Sequence, residues 1–250
     1  MARMEKQLMT GWRFALGQTL PDQKAFSEIY LPHDWAISAP ISQEMEEADT
    51  QGFRDRWGIG WYQKSIFMES VDPDCCYCLE FGGVMENCTV WLNDKLVGEH
   101  RYGYSTFRLD VTDVLIPGEN ALLVRVDNTA HPADRWYSGC GIYRPVTLIT
   151  TARKHFDPWE VVVITQQTET DAIVTIKTGV ADPVQAQLVD RVTGKIVAET
   201  SGREELVLTV KEPKLWSAEE PNLYDLQLTL LDGEQPCDQI TVAVGIREVT

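Results

Sequence analysis

Residues 87–100 read NCTVWLNDKLVGEH, and the pair Asn93-Asp94 sits between the apolar runs Val90-Trp91-Leu92 and Leu96-Val97. Asn and Asp tolerate the left-handed backbone that a two-residue turn demands, so this arrangement predicts a β-hairpin. The same two-residue alternation extends outward on both sides. CYCLEF (76–81) places Tyr77, Leu79 and Phe81 on one face, and GWYQKSIF (60–67) precedes it as a further strand. Downstream come STFRLDV (105–111), a turn at Pro117-Gly118, and ALLVRVDN (121–128) with Leu122, Val124 and Val126 pointing inward. GWRFAL (11–16) reads as an opening strand, and Pro32 and Pro40 predict an extended LPHDWAIS (31–38). Residues 43–56 are polar and acidic without an apolar period, which predicts a surface loop with at most one helical turn near residues 44–48. No stretch before Arg144 supports a long amphipathic helix, so the first half is expected to be an antiparallel sandwich of the jelly-roll kind.

After PVTLIT (145–150) the segment TARKHFDPWE carries Pro158 and a basic cluster, and it marks the expected domain boundary. Short strands then resume at 161–165, 172–177, 184–190, 195–200, 205–210, 223–231 and 240–245, with turns expected at Thr193-Gly194, Ser201-Gly202 and Asp232-Gly233. Seven short strands within so few residues predict an immunoglobulin-like sandwich, although the Cys-Trp-Cys core of antibody domains is missing. The fold class is therefore all-β: a jelly-roll, galactose-binding-like sandwich over residues 1–152 and an immunoglobulin-like sandwich over 153–250. Trp57, Trp61 and Trp91 are expected in the core, and Trp216 is expected to anchor the second domain.

Composition narrows the partners. A chain of 250 residues with 44% hydrophobic and 24% charged side chains is ordinary for a globular protein and can bury a sizeable core. Twenty-two basic against 38 acidic residues give a formal charge of −16, which argues against nucleic acid and anionic membranes as partners. There is no run long enough to span a membrane and no secretory core in MARMEKQLMTGW, so the expected location is cytoplasmic. The six cysteines are bunched irregularly and the four histidines are scattered, which predicts that most of the cysteines are buried thiols in strands and that they form neither a disulfide framework nor a metal or cofactor site.

The richest chemistry lies in residues 134–144, DRWYSGCGIYR. Trp136, Tyr137 and Tyr143 offer flat apolar faces suited to the C–H faces of a sugar, while Asp134, Arg135 and Ser138 can bond hydroxyls. Gly139 and Gly141 permit a sharp turn or a close approach. A well-packed strand-to-strand corner accounts for the same composition equally well.

Seven ordered motifs carry a family resemblance: LPHDW (31–35), GIGWYQKS (58–65), LEFGGVMENCTVWLNDKLVGEH (79–100), RVDN (125–128), RWYSGCGIYRPV (135–146), LWSAEEPNLYDL (215–226) and VGIREV (244–249). In this order they resemble the family 2 glycoside hydrolases, which include β-galactosidases, β-glucuronidases and β-mannosidases. The resemblance implies a jelly-roll sugar-binding domain, an immunoglobulin-like domain and then a (β/α)8 barrel holding both catalytic glutamates, and the chain stops where that barrel is due to begin. It is therefore expected to be the non-catalytic front portion of a retaining β-glycosidase, preferably a β-galactosidase, inactive alone and partnered by a carbohydrate substrate and its own barrel. Self-association is left open. A stand-alone lectin-like carbohydrate-binding protein, or a β-glucuronidase or β-mannosidase fragment, are the alternative readings.

In such enzymes the loop before GIYR reaches the glycone subsite, and some use an aspartate there. Ungapped counting from GIYR puts that position on Arg135, with Asp134 adjacent. The expected substrate-binding residues are Asp134, Arg135 and Trp136, with His33 and Asp34 as secondary candidates. The competing expectation for the latter pair is that Asp34 caps a turn while Trp35 fills the core. Tyr137, Gly141 and Arg144 are expected to be structural.

Overall fold

A computed structural model describes residues 3–39, 58–129 and 139–248. The chain divides into two compact units, Met4–Thr150 and Thr151–Thr250, with residues 1–3 counted in the latter.

The first unit is a sandwich of two sheets. Its strands are β1 (Met4–Gln7), β2 (Trp12–Leu16), β3 (Ser27–Ile29), β4 (Gly58–Met68), β5 (Cys75–Phe81), β6 (Val84–Met85), β7 (Asn87–Leu92), β8 (Lys95–His100), β9 (Phe107–Asp110), β10 (Gly118–Asn128), β11 (Gly141–Ile142) and β12 (Val146–Ala152). One sheet runs β1-β12-β5-β9 and the other β3-β2-β4-β10-β7-β8, while β11 and β6 form a small ribbon. Alternation explains the layering, because every second residue of β5 and β10 is buried and the core unites Tyr77, Leu79 and Phe81 with Leu122, Val124 and Val126. The hairpin at Asn93-Asp94 forms as its residues require, with φ of 50° and 62°.

Seven strands build the second unit: β13 (Val162–Gln167), β14 (Asp171–Lys177), β15 (Val184–Asp190), β16 (Ile196–Gly202), β17 (Glu205–Lys211), β18 (Tyr224–Asp232) and β19 (Gln235–Val244). They make a three-stranded sheet, β13-β14-β17, and a four-stranded one, β16-β15-β18-β19, around a core that includes Phe156, Ile176, Leu188, Leu208 and Leu226. This is the immunoglobulin-like sandwich. Asp238 sits in it with a fully buried side chain, satisfied by the Arg3 guanidinium at 2.9 Å and the Phe156 N–H at 2.8 Å. Trp216 bonds Ile246 O through its backbone, receives the Arg247 guanidinium 4.6 Å from its ring centroid, and so fastens the last strand's exit.

Several local expectations are corrected. Within the segment expected to be extended, Trp35–Ser38 instead forms one 3-10 turn, because the Asp34 side chain accepts the Ala36 N–H at 2.9 Å. Gly202 belongs to β16, and the turn that follows is made by Glu204 at φ 58°. Trp61 is buried as expected, in a smaller core cluster with Ala15, Phe26 and Ile59, whereas Trp91 is only half-buried against that cluster. Both point away from the sandwich interior because they occupy the alternate register of β4 and β7. The expectations for residues 43–56 and for Trp57 fall outside the described residues.

Candidate functional site

Asp134, Arg135 and Trp136, like Tyr137 and Ser138, lie outside the described residues. The structure describes the two anchor points that flank residues 130–138. β10 ends at Asn128 on one side, and β11 begins at Gly141 on the other.

On the β10 side Asp127 accepts from Thr129 Oγ1 at 2.6 Å, from Thr129 N at 3.1 Å and from Arg125 Nη2 at 2.7 Å. Burial opposes ionisation of Asp127, yet the bonds from Thr129 and Arg125 outweigh it and hold the carboxyl below its ordinary range. Asn128 is buried, and its Nδ2 donates to Cys140 Sγ at 3.1 Å, which ties one anchor to the other.

On the far side, Cys140 is fully buried and its N–H donates to Asp34 Oδ1 at 3.0 Å, the same oxygen that receives Ala36 N. His33 N donates to Ile142 O at 2.9 Å, and β11 pairs with β6 at Gly141↔Met85 and Ile142↔Val84. Tyr62, on β4 and fully buried, closes the bracket: Ile142 N donates to its hydroxyl at 3.4 Å, and that hydroxyl lies 2.8 Å from His33 Nδ1. The Tyr62 oxygen can accept from Ile142 N–H and still either donate to or accept from Nδ1, so this bond forms with either imidazole tautomer. Burial lowers the His33 pKa, against a smaller opposing pull from Asp34, and raises the Tyr62 pKa well above its ordinary value. Gly141 is required here. At φ +96° it occupies backbone space that side chains avoid, and a Cβ would overlap the Tyr62 hydroxyl.

His33 and Asp34 are thus placed together with Cys140, Gly141 and Ile142, as brackets on one anchor, and Asp34 does cap a turn while Trp35 joins the main core. Tyr143 donates its hydroxyl to Gly103 O at 2.6 Å, and Arg144 stacks over the Tyr143 ring at 5.3 Å. Beside the β10 anchor lies a cavity of about 350 Å³ whose lining includes Asn87, Thr89, His100, Arg125 and Asp127. The carboxylates at the anchors are consumed by backbone donors and by Arg125, so neither is placed as a general acid or base. Among the described residues there is also no group of three or more His, Cys, Asp or Glu side chains placed to hold a metal ion.

Sequence reading missed Tyr62, Asn128 and Cys140. Tyr62 is indistinguishable from any inward residue of GWYQKS, but the glycine before Trp61 was a usable signal: a Cβ on Gly60 would come within 2.6 Å of the Trp35 ring. That close approach is what brings His33 and Asp34 onto β4.

The comparisons with known proteins match this architecture over its whole length. The family model described as the sugar binding domain of glycosyl hydrolases family 2 matches residues 6–152, and the model described as glycosyl hydrolases family 2 matches 147–247. A β-galactosidase of Bacteroides ovatus is 37% identical over 94% of this chain and 31% of its own length. A putative β-glucuronidase of Formosa agariphila is 32% identical over 99% of this chain and 25% of its own length. A solved family 2 member from Bacteroides cellulosilyticus superposes with a TM-score of 0.85 at 30% identity, covering 98% of this chain and 36% of that one. The chain thus spans between a quarter and a third of the length of these two relatives. Two adjoining family models, matched in order and landing on the two sandwiches that the strands build, leave one conclusion: the chain belongs to family 2 of the glycosyl hydrolases.

Proposed function

We propose that this chain is the non-catalytic front portion of a retaining β-glycosidase, a β-galactosidase in the first instance, and that its jelly roll completes the glycone subsite through residues 130–138. The observation that carries the reading is the double anchor. The buried bond from Asn128 to Cys140 cross-ties the two ends of the segment rich in sugar-compatible side chains, and the part-buried bond from Cys140 to Asp34 fixes the second end. Ordering an anchor this thoroughly is useful if what it carries must meet a ligand in fixed geometry. Asp134 and Arg135 then bond sugar hydroxyls, Trp136 packs on the ring, and His33 and Asp34 act as positioning residues at the Cys140 anchor. The relatives' names support a β-glycosidase, and the higher identity to the Bacteroides ovatus β-galactosidase favours galactose over glucuronate.

A retaining mechanism needs two carboxyl groups about 5 to 5.5 Å apart on a rigid frame, which a following barrel domain would supply. The 250-residue chain is accordingly expected to be inactive alone. The test is hydrolysis of aryl β-galactoside, β-glucuronide and β-mannoside by the protein expressed with and without the reading frame that follows Thr250. Turnover only in the longer protein, greatest on the galactoside, is the expected result. A stop codon directly after Thr250, with micromolar galactose binding by the chain itself, would instead establish a lectin.

A further inference from the structure

A second cavity lies in the first unit. It has a volume of about 580 Å³ and lies on the outer face of the six-stranded sheet. The lining residue of β10 nearest Thr129 in sequence is Leu123, six residues or roughly 20 Å of extended chain away. We propose that this cavity is a second saccharide site, for a neutral oligosaccharide, separate from the one formed by residues 130–138 and independent of that reading.

Its floor is aromatic and rigid. Trp91 is half-buried and stacks on Trp61 with ring centroids 6.2 Å apart at 21°, while Trp61 is itself pinned by Nε1 donating to Gly17 O at 2.9 Å. Leu123 is the cross-strand neighbour of Trp91, and Leu20, 48% exposed, also lines the cavity. The lining therefore offers an apolar strip beside polar groups, the combination a pyranose face needs.

Its rim has unspent hydrogen-bonding capacity. Gln63, Ser65, Asp94 and Glu119 line the cavity, and their side chains have no hydrogen-bond partner among the described residues. Amide, hydroxyl and carboxylate together can both donate to and accept from sugar hydroxyls. The end wall is fixed, because Asn93 Nδ2 donates to Asn120 Oδ1 at 2.8 Å and Ala121 N donates to Asn93 Oδ1 at 2.9 Å.

The charges select a neutral ligand. The two cations at the rim are already engaged, Arg13 with Gln23 O at 2.8 Å and Phe26 O at 3.1 Å, and Lys64 with Thr10 O at 2.6 Å. Those carbonyl partners are neutral, so both cations keep their charge and balance Asp94 and Glu119, leaving the lining without net charge. A uronate or another anion gains no local attraction and meets a chain of net charge −16, while a purely apolar partner would strand four polar side chains.

The experiment is calorimetric titration of the 250-residue chain with β-1,4-galactotetraose, cellotetraose and, as the anionic comparison, tetragalacturonate. At least one neutral tetraose should bind with millimolar affinity and more tightly than tetragalacturonate. Trp91→Ala should weaken that binding by at least about 10-fold, as loss of an aromatic anchor does, and Gln63→Ala by roughly 3-fold. Ala121→Arg, a substitution at an exposed position that fills the cavity, should abolish it and decides the matter if Trp91→Ala fails to fold. Arg135→Ala separates the two sites. Binding lost with Arg135→Ala but kept with Ala121→Arg belongs to residues 130–138 and overturns the proposal. So does a neutral tetraose that binds no better than the uronate, or none binding at about 20 mM, beyond which a weak site has no use.

Discussion

Replacing Asp34 by alanine removes one oxygen that two backbone donors share, Ala36 N at 2.9 Å and Cys140 N at 3.0 Å. Loss of the cap on the 3-10 turn costs about 1 kcal/mol. The Cys140 N–H lies in a fully buried residue, and leaving it unpaired costs about 1–3 kcal/mol more. Together the loss is about 2–4 kcal/mol, or roughly 5–15 °C in the melting temperature of a unit this size. Asp34→Asn keeps the Oδ1 acceptor and should lose less than about 1 kcal/mol. Guanidinium denaturation gives the free-energy difference, and amide hydrogen exchange locates it: Cys140 and Ile142 should lose protection first. An alanine variant as stable as the parent, with Cys140 still protected, would refute the claim that Asp34 holds the anchor.

Gly141→Ala should prevent the first unit from folding stably, with a loss above about 3 kcal/mol from overlap with Tyr62, and Tyr62→Phe should restore part of it in a double-mutant cycle followed by thermal melts. Acid sensitivity should trace partly to His33. Its folded pKa is depressed, so the unfolded chain binds the proton more tightly, and the stability it contributes is complete above about pH 6.5 and lost as pH falls through the folded value; His33→Gln should flatten that limb of a denaturation series. In the second unit Asp238→Ala leaves the Arg3 guanidinium, whose side chain is 11% exposed, with Phe156 O but without its counter-ion, and leaves the Phe156 N–H without its acceptor, for a loss of about 3–5 kcal/mol measurable by calorimetry.

What could be read in the sequence follows from where the physics is local. Alternation exposes a strand when one face is buried, so β5, β10 and β18 were legible, and a two-residue turn announces itself when Asn-Asp supplies the positive φ. β1 was not legible, since all four of its residues are exposed and nothing alternates. The Glu204 turn was missed because a glutamate carries no turn signature. At the site, DRWYSGCGIYR drew notice through side-chain chemistry, but its anchors depend on contacts made 106 residues apart by Asp34 and Cys140, and 80 apart by Tyr62 and Ile142. Cys140 read correctly as a buried thiol. That Asn128 would donate to its sulfur is a consequence of the fold alone.

On the proposal made above, residues 130–138, flanked by this double anchor, complete a glycone subsite. The direct measurement is kcat/KM for an aryl β-galactoside in the barrel-containing protein carrying Arg135→Ala, Asp134→Ala or both. Loss of a partner for a sugar hydroxyl predicts a fall of roughly 10- to 100-fold, with the chain still folded and its melting temperature unchanged. Parental turnover in the double variant would contradict it.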